Sequence, residues 1–111
     1  MRRSKQSIAR RRPSHRPPAH PGEILLDDFL EPLGLNQREF ADHVGMSVPW
    51  VNALVRGRRN VTVETAFRLA HALGTTAEYW LNMQQSWDLW HFTRSSKGRR
   101  IGRIRPIRRA R

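Results

Sequence analysis

Apolar residues recur at three- and four-residue intervals through the middle of the chain, and no stretch of useful length alternates as a half-buried strand would. The pattern predicts an all-α body of five helices. Leu26, Phe29, Leu30 and Leu33 form the first stripe, on a helix from about Gly22 to Glu31. Pro21 suits its start, Pro32 ends or kinks it, and Gly34 is a left-handed terminator. NQREFADHVG is a short second helix. Asn36 caps it, Glu39 completes a capping box, and Phe40, Ala41 and Val44 point inward before the turn at Gly45. Ser47 caps a third helix over Val48 to Arg56, with Val51, Leu54 and Val55 buried and Gly57 ending it. Pro49 sits in its first turn, where a missing N–H costs nothing. Thr62 caps a fourth helix whose stripe is Val63, Ala66, Phe67, Ala70 and Leu73. Thr75 with Glu78 opens a fifth, from about Thr76 to His91.

Charge changes this picture at the ends. The 111 residues carry 21 Lys and Arg against 9 Asp and Glu, for a net +12. Residues 1–20 and 94–111 hold sixteen of those cations and no acid, so the body between them is mildly acidic. The chain therefore divides into a basic arm at 1–19, a folded domain at 20–93 and a basic tail at 94–111. Both ends are rich in Arg, Pro, Ser and Gly, and are expected to be disordered. Such blocks commonly bind polyanions through salt-dependent phosphate contacts, the competing reading being a solubilising extension. The chain has no Cys, which excludes disulfides and thiolate metal sites. It has no run of about 18 apolar residues, so no membrane span is expected.

A short helix, a glycine turn and a second short helix with a buried stripe make a helix-turn-helix. Ala41 supplies the small residue that two crossing helices need at their contact, and Gly45 the tight turn between them. The second helix of the unit is unusual for a DNA reader. Its first turn carries Val48, Pro49 and Trp50, so hydrogen bonding to bases falls to Ser47 and Asn52. Val48 and Trp50 suit thymine methyl groups and Asn52 suits adenine. In the competing reading, Trp50 covers the core or a partner.

Residues 20–90 resemble the HigA/VapI-type antitoxins, within the Cro/CI (XRE) helix-turn-helix family. The matching stretches are HPGEILLDDFLEPLGL at 20–35, QREFADHVG at 37–45, GRRNVTVETAFRLAHALGT at 57–75 and AEYWLNMQQSWDL at 77–89. The resemblance implies a lambda-repressor-like domain and a toxin–antitoxin role. The protein would bind operator DNA as a homodimer, repress its own operon and neutralise a HigB toxin, a RelE-type mRNA endonuclease. By the same resemblance Gln37 contacts phosphate. Ser47, Val48, Pro49, Trp50, Asn52 and Ala53 form the recognition face, and Arg56, Arg58 and Arg59 lie beside the DNA backbone. A cytoplasmic, nucleoid-associated location follows.

The fifth helix carries Trp80, Met83, Trp87 and Trp90 on one stripe. Trp80 belongs in the core. A body of this size has little room for four such residues, so Trp87 and Trp90 are candidates for a dimer or toxin interface. Glu23, Asp27 and Glu31 share a face of the first helix, either as a solvated surface or as a dock for a cationic toxin. Histidines 15, 20, 43, 71 and 91 show no metal spacing, and no nucleophile–base pair or phosphate loop is evident. No metal, cofactor or enzymatic activity is expected. Two alternatives stay open: a helix-turn-helix repressor without a toxin, and a non-specific nucleic-acid binder working through its basic tails.

Overall fold

The structure, a computed structural model, describes residues 16–108. These fold into six helices, with no strand among the described residues. The first, α1, spans 21–33. It is α-helical over Pro21–Ile24, widens to a π-helical turn over Leu25–Leu30, and closes with Glu31–Leu33. Then follow α2 (Gln37–Val44), α3 (Val48–Val55), α4 (Val63–Leu73), α5 (Ala77–Thr93) and α6 (Ser96–Ile101).

The widened turn explains where α1 departs from the sequence expectation. In a regular α-helix the Pro32 ring would press on the Asp28 carbonyl. Here Glu31 N–H reaches back five residues to Leu26 O, which opens the turn just ahead of Pro32. The helix therefore runs through Pro32 to Leu33 instead of stopping at Glu31. The extra residue also moves the buried face. Residues five apart now align, so Leu25 and Leu30 are both fully buried, while Leu33, expected inside, is 60% exposed.

α2 and α3 follow the expected plan, except that Val55, expected inside, is only half-buried at the end of α3. Asn36 and Glu39 form the full capping box, at 2.8 and 2.9 Å. Gly45 makes the turn at φ 74°, a conformation that disfavours any Cβ. Ala41, Val51 and Leu54 are fully buried where the two helices cross. In α4 Ala66 and Ala70 are buried as expected, joined by Leu69, whereas Val63 and Phe67, expected inside, are more than half exposed. The start of α5 differs as well. Thr76, not Thr75, caps it by accepting the Tyr79 N–H, and Thr75 Oγ1 accepts the Trp80 indole N–H at 2.7 Å. That bond satisfies the one polar atom of the largest core side chain.

The expected tail at 94–111 is not uniformly without structure: Ser96–Ile101 form α6, capped by Ser95. Periodicity gave no sign of it, because a helix with no buried residue has no apolar stripe. The expected basic arm at 1–19 lies mostly outside the described residues.

The HPG at 20–22 is the tightest point of the fold. His20 caps α1 with its ring: Nδ1 accepts the Gly22 N–H at 2.9 Å. Pro21 follows in the first turn, where no N–H is needed. At Gly22 an added Cβ would stand 1.7 Å from the Leu54 carbonyl oxygen, so α1 lies against the end of α3 at a separation that only glycine permits. His20 itself is buried, edge-on to Trp87 at 5.0 Å, and its Nε2 finds no hydrogen-bond partner among the described residues. Desolvation by burial lowers its pKa from 6.5. His91 adds to the lowering and Asp88 opposes it.

Two outcomes are expected. Gly22→Ala should cost about 3 kcal/mol, because backbone meets side chain with no rotamer to relieve it. A thermal melt should show a fall in Tm of roughly 10 °C or more, and an unchanged Tm would contradict the close approach. For His20 the neutral ring is the folded-state form, and its pKa is lowered. Its contribution is therefore complete above pH 6.5 and is lost as the pH falls below that value. His20→Asn keeps a capping oxygen without the titration. Chemical denaturation between about pH 5 and 7 should give a shallower loss of stability toward acid for this variant than for the parent.

Candidate DNA-binding interface

The recognition face is built on α3. Ser47 Oγ accepts the Trp50 N–H at 3.1 Å, which starts the helix, and Pro49 in the first turn disturbs no bond. Val51 and Leu54 anchor the inner side. Of the apolar tip, Val48 and Trp50 are half-buried and lie against the core, while Pro49 is exposed. The outer surface of α3 therefore offers Ser47, Pro49, Asn52, Ala53 and only part of the Val48 and Trp50 side chains.

Asn52 is not independent. Its Nδ2 donates to Gln37 Oε1 at 3.2 Å, across the two helices of the unit. One amide hydrogen of Asn52 and its carbonyl oxygen are left for an outside partner, as is the Gln37 amide group. The expected phosphate contact and the expected adenine reader thus form one locked pair.

Arg56, Arg58 and Arg59 are all exposed, at the end of α3 and in the loop after it, with no carboxylate in ion-pair range among the described residues. A buried side chain that the sequence did not single out holds this loop. Gln84 of α5 accepts the Val61 N–H at 2.7 Å through Oε1. Its Nε2 donates to Asn60 Oδ1 at 3.1 Å and to Asp88 Oδ1 at 3.0 Å. Periodicity could have placed Gln84 beside Met83 on the inner side of α5, but not its partners in another element. Arg68 was missed for the same reason. Its Nη1 donates to the Val44 carbonyl at 2.6 Å, closing the end of α2, while Glu64 pairs with it at 2.9 Å.

On the other face, Trp80 is fully buried, as expected. Trp87 is half-buried between His20 and His91, whose ring centroid lies 4.1 Å away. Trp90 is half-buried beneath Arg94, whose guanidinium carbon stands 3.2 Å from the ring centroid. Both tryptophans are thus partly occupied within the chain, and Leu89 and Phe92 are the more exposed apolar residues of that helix. Glu23, Asp27 and Glu31 are all exposed on α1. Among the described residues no three His, Cys, Asp or Glu side chains converge as a metal site, and no helix is long and apolar enough to cross a membrane.

The helix-turn-helix family HTH_3 matches residues 26–80, from within α1 to the start of α5. The chain is 40% identical to the uncharacterized HTH-type transcriptional regulator YbaQ of Escherichia coli K12, over 83% of this chain and 82% of that protein. It is likewise 40% identical to antitoxin HigA-1 of Vibrio cholerae, over 71% and 74% respectively. The chain belongs to the HigA-type helix-turn-helix family. Among solved structures, the antitoxin HigA of Pseudomonas aeruginosa, determined with the higBA promoter, superimposes with a TM-score of 0.75 at 34% identity, covering 81% of this chain and 98% of that one. The HigA-type frame is a non-enzymatic regulator fold. Gln37, α3 and Arg56–Arg59 lie inside the matched region, whereas His20, Gln84, Trp87 and Trp90 lie outside it.

Gln84→Leu removes the acceptor for a buried backbone N–H and should cost about 1–3 kcal/mol. Amide exchange at Val61 should quicken by more than the global loss of stability explains. Exchange that follows global stability alone would mean that Gln84 does not hold the loop.

Proposed function

We propose that the protein is a HigA-type antitoxin that binds operator DNA upstream of its own gene as a homodimer, represses that operon and neutralises a HigB/RelE-like mRNA endonuclease. The observation that carries the DNA half is the Gln37–Asn52 pair beside an exposed arginine loop with no carboxylate partner among the described residues. The first has the hydrogen-bonding groups to address adenine, and the second meets phosphates without sequence information. Ser47 and Pro49 border the bases, and the outer edges of Val48 and Trp50 meet thymine methyl groups. A dimer would set two α3 helices in successive major grooves. Such a protein works in the cytoplasm, on the chromosome.

Support for the toxin half comes from the family, since HigA-1 of Vibrio cholerae is named as an antitoxin. The exposed parts of Trp87 and Trp90 give the dimer or toxin apolar anchors. Glu23, Asp27 and Glu31 give a basic toxin a complementary face.

Both halves can be tested in cells. A reporter driven by the upstream region should be repressed by the parent protein. Asn52→Ala should relieve that repression by about tenfold, the scale of one good base contact. Co-expression should abolish the growth arrest caused by an adjacent small basic reading frame. Full repression by Asn52→Ala would remove this residue as a reader, and undiminished growth arrest would remove the antitoxin role.

A further inference from the structure

The segment after α5 carries seven Lys and Arg and no acid over residues 94–108. Its departure from the body is fixed. Ser95 Oγ donates to the Phe92 carbonyl at 2.6 Å and accepts the Gly98 N–H at 3.0 Å. An added Cβ at Gly98 would stand 1.9 Å from that same Phe92 carbonyl oxygen, so α6 turns tightly across the end of α5. Arg94 covers Trp90 at the corner. The helix that carries this corner also grips the DNA-side loop. Gln84 binds Asn60 and Val61, and Trp87 packs on His20, whose ring would lie 3.7 Å from a Cβ at Gly57.

Beyond α6 no regular element follows among the described residues. A turn bond from Ile104 N–H to Ile101 O closes α6. Pro106 then holds Arg105 in extended geometry. Arg103 stands in the turn that closes α6, its N–H bonded to Arg100 O, and Arg105 follows two residues on; both are exposed. Ile104 is 72% exposed and Ile107 95%, an arrangement that water disfavours and a groove wall would cover.

We propose that residues 104–108 are an arm that enters the minor groove of A·T-rich duplex, with Arg105 inserted, Arg103 at its base beside the groove mouth and the isoleucines against the groove. The proposal rests on the duplex-binding reading above and adds to it a second, separate reader. Narrow A·T minor grooves carry enhanced negative potential that draws arginine, and extended arms with arginines two apart enter them. Isoleucine is among the apolar residues that minor-groove proteins use. Five residues at about 3.3 Å each reach roughly 16 Å, ample for a groove about 6 Å wide. An α3 tip with few hydrogen-bonding groups leaves specificity for such an arm to supply.

The test uses the full chain on three duplexes of equal length, built only of A·T, I·C or G·C pairs. Inosine lacks the minor-groove amino group of guanine while keeping its major-groove edge. The parent should bind I·C at least threefold tighter than G·C, because these two share their major-groove edges and differ only in the minor groove. Any further preference for A·T over I·C belongs to α3. R103A/R105A, which touches no core residue, should bind I·C and G·C equally and keep the parent's circular dichroism. Equal parent binding to I·C and G·C would overturn the proposal, and so would a double variant that keeps the preference. The upstream duplex separates the two readings. If the parent prefers that duplex over a scrambled one but binds I·C and G·C equally, only the arm fails. If it prefers I·C over G·C but not its upstream duplex over a scrambled one, the arm stands and the operator reading fails.

Discussion

The contact of Gly22 with the Leu54 carbonyl fixes how three parts of this domain meet. It sets α1 against the C-terminal end of α3 at backbone distance. The same approach carries the His20 ring to the Gly57 turn and to Trp87. His20 is therefore at once a helix cap, a packing residue and the junction between the recognition helix and α5. Its neutral form is required in all three roles, because a charged ring would be buried next to the positive end of α1. From this junction the arginine loop is held from a second side by Gln84. The loop is exposed, yet its backbone is anchored in the interior, which is what a phosphate-facing segment needs to keep a fixed register.

Much of this was legible in the sequence, for identifiable reasons. Caps and turns act within four residues, so Asn36 with Glu39, Gly45, Ser47 and the first-turn position of Pro49 could be read directly. Ala41, Val51 and Leu54 follow from a single stripe on each of two short helices. The failures are equally local in cause. One extra residue in the α1 turn exchanged Leu33 for Leu25, because a period of 3.6 was assumed where Pro32 goes with a wider turn. Two adjacent threonines offered the same cap to α5, and the Trp80 indole claimed Thr75. In α4 two neighbouring stripes had similar hydrophobicity, and packing put Leu69 inside and Phe67 out. Gln84 and Arg68 were invisible because the backbone groups they bind lie 23 and 24 residues away.

The functional surface follows from the same economy. A domain with a small core uses Val48 and Trp50 partly as lids, which reduces the apolar tip left for DNA. In the proposed function, recognition then concentrates on the Gln37–Asn52 pair, with Arg56, Arg58 and Arg59 as the electrostatic frame. Trp87 and Trp90 are divided in the same way between the chain's own packing and an exposed part, which the proposed function gives to an outside partner. Because α5 carries those tryptophans and also grips the loop through Gln84, a partner seated on α5 touches the element that positions the arginines.

The account's central claim is that α3 reads a particular duplex. It is tested most directly by the affinity of the full chain for the duplex upstream of its own gene against a scrambled duplex of equal length. The comparison belongs at physiological salt, where contacts made by basic segments alone are weakened. A preference of about tenfold, near 1.4 kcal/mol, is the result this structure predicts. Equal affinity for both duplexes would contradict it and would leave the helix-turn-helix as a scaffold for the partner surface of α5.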